Sequence, residues 1–178
     1  MRFVVAFALL LASACNNALI GNTTPVPPVH RVPIEIEGAV VLLAEDALIE
    51  SSDPVHIQRA KKYRIPQDYR ASMTTAFQLA GFKVVSAPTE KHDLVAKLAL
   101  AVREEPGKVY QTYRCHLTGP DGTEVAQIDW AWPQGVYTEE DQVLNFATHN
   151  VATEIATSRP VVSYLQSARS KPAPAPPP

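Results

Sequence analysis

Hydrophobic and polar positions alternate along this chain with two different periods. Ile34–Glu45 (IEIEGAVVLLAE) alternates and then becomes continuously apolar, the pattern of a strand inside a sheet. Ile65–Ala80 switches to a helical period, with Tyr69, Met73, Ala76, Phe77 and Ala80 on one stripe. Pro66 suits its first turn and Gly81 its C-cap. Phe82–Ser86 reads as a short strand. The period of two then returns three times. Asp93–Arg103 sets Leu94, Ala96, Leu98, Leu100 and Val102 on one face. Lys108–Thr118 sets Val109, Gln111, Tyr113, Cys115 and Leu117 on one face, and Tyr110, Thr112, Arg114 and His116 on the other. Thr123–Trp132 follows the turn Pro120-Asp121-Gly122 and aligns Ala126, Ile128, Trp130 and Trp132. The three strands predict an antiparallel meander, with both tryptophans in the core.

A last helix is expected over Glu139–Thr157, capped by Thr138, with Val143, Phe146, Ala147, Asn150, Val151 and Ile155 inward. Pro160 marks a break before a short helix at Val161–Gln166. The order β-α-β-β-β-β-α predicts an α+β two-layer sandwich, a mainly antiparallel sheet with helices on one face.

The two ends have a different character. Arg2 precedes an apolar run, Phe3–Leu11, then three small residues and Cys15. The run matches a signal-peptide core of ~7–15 residues and falls short of the ~20 that a spanning helix needs. Leu10–Cys15 (LLASAC) resembles the lipobox of bacterial lipoproteins, with Ala12 where leucine is commoner. The resemblance implies that Cys15 is acylated and becomes the mature N-terminus. Several acyl chains make a stable anchor, at ~0.8 kcal/mol for each buried CH₂. Asn16 stands in place of the aspartate that retains enterobacterial lipoproteins in the inner membrane, so an outer-membrane, periplasm-facing location is expected. The proline-punctuated stretch to Pro33 reads as a tether, and Ser170–Pro178 (SKPAPAPPP) as a tail that cannot pack a core. The expected division is 1–14 signal peptide, 15–33 lipidated tether, 34–168 one α+β domain and 169–178 disordered tail.

A net charge of −2 does not suggest a nucleic-acid binder. Cys115 has no partner if Cys15 is acylated, so no disulfide framework is expected. HExxH, GxSxG, Walker and Rossmann signatures are absent, and the five histidines show no zinc-ligand spacing. No cofactor and no metal is expected. Glu139, Glu140 and Asp141 read as a helix-capping cluster, and Cys115 as a buried, inert thiol.

Two features point to binding. The long link Glu45–Arg64, either functional or holding a helix of its own, ends in the basic residues Arg59, Lys61, Lys62 and Arg64, which read as a solvated helix face or as a patch suited to phosphate or carboxylate groups. Tyr137 precedes the last helix, either stapled to its first turn or exposed as a partner anchor. The segments QLAGFKVV, HDLVAKLALAV and GPDGTEVAQ, with the final helix, resemble the small periplasmic α/β module of envelope lipoproteins of the TolB amino-terminal, penicillin-binding-protein-activator and LptE types. That resemblance implies a non-enzymatic accessory domain docking to an envelope protein, or to a cell-wall or lipid headgroup. A small periplasmic hydrolase is the alternative, expected to gather His92, Asp129 and His149 in one cleft. A purely structural component of an export assembly is the third.

Overall fold

The computed structural model describes residues 25–106, 108–132 and 140–170. Residues 1–24 with Cys15, residues 133–139 with Tyr137, Thr138 and Glu139, and residues 171–178 lie outside the described residues.

A 3-10 turn at Ile34–Ile36 leads into β1 (Val40–Leu42), β2 (Leu48–Glu50), α1 (Pro54–Lys62), α2 (Ile65–Ala80) and β3 (Lys83–Val85). Then come β4 (Leu94–Glu105), β5 (Lys108–Thr118), β6 (Glu124–Ala131), α3 (Glu140–Thr157) and α4 (Arg159–Ser170). The fold is α+β: four helices and one six-stranded mixed sheet. The strand order is β3-β1-β4-β5-β6, and β2 also pairs with β4. The long ladders, β4–β5 and β5–β6, are antiparallel. The short ones, β1 with β3, β1 with β4 and β2 with β4, are parallel. Two helices lie between β1 and β3, and a crossover of that kind is what a parallel pair requires.

The expected meander is present. Leu94, Ala96, Leu98, Leu100, Tyr113, Cys115, Leu117 and Ile128 are buried on one sheet face, in one core with the stripes of α2 and α3. All five predicted stripe residues of α2 are fully buried, and Gly81 caps that helix at φ 98°. Lys97, Arg114, His116, Gln127 and Asp129 point to the other, open face.

The structure alters the sequence reading in five places, the first being the far end of the domain, where the expected short helix Val161–Gln166 is instead the twelve-residue α4 and Arg169, expected in the tail, donates to the Glu35 and Glu37 carbonyls. The predicted strand Ile34–Glu45 is mostly not strand. Pro33 leads straight into a 3-10 turn, and Gly38 adopts φ 73°, so only Val40–Leu42 pairs. The link Glu45–Arg64, long enough to hold a helix of its own, contains α1 and, in addition, the strand β2. Trp130 and Trp132 are half-buried. They sit at the end of the edge strand and pack on Phe146 at 5.6 and 5.8 Å between ring centroids. Finally, residues 25–33 lie along the domain. Val32 is buried, the Val32 N–H donates to the Ala80 carbonyl, and the Pro27 carbonyl lies 2.7 Å from His149 Nδ1. Proline-rich composition describes the backbone, but Val29 and Val32 supply the apolar contacts that seat it.

Candidate functional site

The four basic residues singled out in sequence lie where α1 ends and α2 begins. Asp53 caps α1 by accepting the Val55 N–H at 2.8 Å, and Pro54 fits the first turn. Arg59, Lys61 and Lys62 occupy the last turn, where cations offset the negative end of the dipole. Arg64 then takes a left-handed conformation, φ 59° and ψ 22°, which lets α2 start one residue later in a new direction. A side chain in that region costs about 1–2 kcal/mol.

All four are exposed, and none makes an ion pair with a carboxylate among the described residues. Lys62 Nζ sits 5.6 Å from the Tyr63 ring centroid, a cation–π contact. Arg64 provides no side-chain cap to α2, so the positive end of a 16-residue helix opens at the same corner.

Tyr63 and Ile65, the chain neighbours of Arg64, line a pocket of about 270 Å³. Asp68 from α2, Leu100, Gln111 and Tyr113 from the sheet, and Val143 and Leu144 from α3 complete it. It is smaller than the ~300–1,000 Å³ of drug-sized ligand sites and suits one side chain or one apolar group.

A second hollow, of about 490 Å³, lies on the open sheet face. Arg114 crosses it, held by Glu50 at 2.5 Å and Asp129 at 3.2 Å. Its charge is matched within the protein, so this hollow offers less to an outside anion than the α1–α2 corner does.

The histidines fall apart as a catalytic set. Asp129 stays on the open face with Arg114, whereas His149 is on α3 against Pro27. His92 is half-buried, with Nδ1 2.7 Å from the Glu90 carbonyl. The cleft expected of the hydrolase alternative is not assembled by these three. Asn150 donates to the Phe146 carbonyl at 2.8 Å, a backbone bond within its own helix. Cys115 is fully buried, and burial pushes its thiol up to about 12, far from a reactive thiolate. Cys15 and Tyr137 lie outside the described residues.

One group was not visible in the sequence. Asp53, His56 and Glu104 bring three ligating atoms within 4.8 Å of one another. Asp53 and His56 are three apart at the start of α1, but Glu104 comes from the far end of β4. Histidine spacing alone carries no trace of it.

No family model and no curated protein matches the sequence. Several solved structures resemble the fold. A neuraminyllactose-binding hemagglutinin homolog from Helicobacter pylori is 14% identical, over 81% of this chain and 97% of that one, with a TM-score of 0.41. A PelC dodecamer from Paraburkholderia phytofirmans is 15% identical, over 73% and 92%, with a TM-score of 0.44. A lipoprotein from Neisseria meningitidis is 17% identical, over 68% and 99%, with a TM-score of 0.40. At such identities and scores these likenesses carry no weight for function. No helix among the described residues is long and apolar enough to cross a membrane.

Proposed function

We propose that this chain is a lipid-anchored, non-catalytic accessory module of the bacterial cell envelope that holds an anionic group at its α1–α2 corner. The observation that carries the proposal is the set of four exposed cations, Arg59, Lys61, Lys62 and Arg64, without carboxylate partners among the described residues. A solvated helix face commonly pairs such residues at i, i+4. Here the cations adjoin in sequence the start of α2, which lacks a side-chain cap, and the small pocket beside it, which is largely apolar but also holds Asp68. Charge would be met by the corner and an adjoining apolar group by the pocket. The lipobox-like LLASAC supplies the anchor in this reading, and outer-membrane placement follows from Asn16.

The test uses the full chain with Cys15→Ser, so that no acyl chain contributes. Co-sedimentation with phosphatidylglycerol vesicles should be strong at low salt and weak with phosphatidylcholine vesicles. Replacing all four cations with glutamine should remove ~1 kcal/mol per charge that reaches the surface. Equal sedimentation of the two proteins, or the same yield with both vesicle types, removes the lipid headgroup as the anion. If neither soluble peptidoglycan fragments nor acidic peptides then bind in a manner sensitive to the four substitutions, the corner is not a binding site.

A further inference from the structure

We infer that Asp53, His56 and Glu104 form a binding site for a divalent transition-metal ion, zinc by its donor set, which ties the start of α1 to the end of β4. The three side chains offer one imidazole nitrogen and two carboxylate oxygens, all within 4.8 Å of one another. His56 Nε2 lies 3.4 Å from Glu104 Oε2. With metal–ligand bonds of ~2.0–2.2 Å, two ligands on one tetrahedral zinc ion are about 3.4 Å apart. The His56–Glu104 spacing matches that of two ligands on one such ion.

The ligands are held from behind. Ser51 Oγ is 3.2 Å from His56 Nδ1 and also accepts the Asp53 N–H at 3.1 Å. The hydroxyl therefore orients the imidazole through one nitrogen and leaves Nε2 as the ligating atom, the usual division of labour at zinc histidines. One oxygen of Asp53 is engaged by the Val55 N–H, which fixes the carboxylate and leaves its other oxygen for a metal. Arg103, the nearest cation along β4, is paired with Glu105 at 3.2 Å. Two carboxylate charges outweigh the roughly half-unit positive charge of the α1 N-terminus, which otherwise opposes a cation there. Three protein ligands leave a fourth position for water, and Glu104 is exposed enough for an ion to enter from solvent.

The mechanical consequence falls on α1. Only Ala60 of this helix is buried, so its own packing holds it weakly. A metal at its first turn would cross-link it to β4, while its last turn carries Arg59, Lys61 and Lys62. The metal site does not depend on what those cations bind.

The test is calorimetric titration of zinc into the mature full chain in detergent, after removal of metal by a chelator. One equivalent should bind with a micromolar or tighter dissociation constant and raise the melting temperature. Glu104→Gln, an exposed and isosteric change, should weaken binding at least about tenfold and abolish the thermal shift. Asp53→Asn keeps a good N-cap while removing the charge and should weaken binding similarly. His56→Ala should remove the site. Melting of the metal-free variants shows that each is folded. Absence of one-to-one binding, or binding that Glu104→Gln and Asp53→Asn both leave unchanged, overturns the proposal. The latter would place the ion on other histidines, and the Asp53–His56–Glu104 contact would then be an ion pair alone.

Discussion

The rings of Tyr69 and Tyr113 meet edge to face, 5.3 Å between centroids and 88° between planes, and join α2 to the middle of the sheet. The Tyr69 hydroxyl continues across to the Arg114 carbonyl at 3.1 Å. One side chain thus fills the core and satisfies its buried oxygen on the backbone of β5. Tyr69→Phe is expected to cost about 1 kcal/mol, the net value of one hydrogen bond. Tyr69→Ala is expected to cost about 3–5 kcal/mol as an aromatic core deletion. Urea denaturation of the two variants separates bond from ring, and equal losses would contradict the assignment.

Cys115 predicts a loss of stability in alkali. Its thiol is raised by burial from 9.0 to about 12 in the folded chain. Below pH ~9 both states keep the proton, and the contribution is fully present. Above that, the unfolded thiol ionises while the folded one does not, so the folded state binds more protons and stability falls as pH rises towards 12. Burial also raises Tyr69, which adds a second loss beginning near pH 10. Cys115→Ala should therefore flatten the decline between pH ~8.5 and 10. An unchanged slope in urea midpoints over that window would show that the thiol does not titrate this way.

Arg64 sets stability against binding. Its left-handed backbone, φ 59°, is the conformation glycine adopts at no steric cost. Arg64→Gly should raise stability by up to about 1 kcal/mol, the strain relieved less the entropy that glycine loses. If Arg64 contributes to the anionic site, the same variant binds phosphatidylglycerol vesicles less well. A destabilised Arg64→Gly protein would show that the arginine side chain holds the corner together.

Residues 25–31 are expected to contribute to stability despite their composition. Removing them deletes the His149–Pro27 carbonyl bond, the bond from the His30 N–H to Thr153 Oγ1, and the packing of Val29. A fragment beginning at Val32 should lose about 1–3 kcal/mol against one beginning at Pro25. Identical melting of the two fragments would mean that the segment lies on the domain without holding it.

The proposed lipid anchor rests on Cys15. Cys15→Ser is expected to abolish acylation and to move the protein out of the outer-membrane fraction. A serine variant that still fractionates there would refute the lipobox reading of LLASAC.

Local periodicity determined the elements in which one face is buried along a continuous run. Ile65–Ala80 and Lys108–Thr118 have the same ends in sequence and structure, because apolar spacing and the flanking Pro66, Gly81 and Pro120 act within a turn or two of the chain. It also determined that α2, α3 and three long strands share one core, and that Arg59, Lys61, Lys62 and Arg64 form a local cationic run. Parallel pairing of β1 with β3 and β4 was not legible, since an apolar run looks alike whichever way its neighbours point. That no carboxylate among the described residues pairs with the cationic run was decided by the fold, as was the docking of Pro27 on His149. So was the meeting of Glu104 with Asp53 and His56, across some fifty residues. Periodicity reports which side of an element avoids water. Which residues then face one another depends on how the elements close around the core, and that is set by contacts between parts of the chain that share no local pattern.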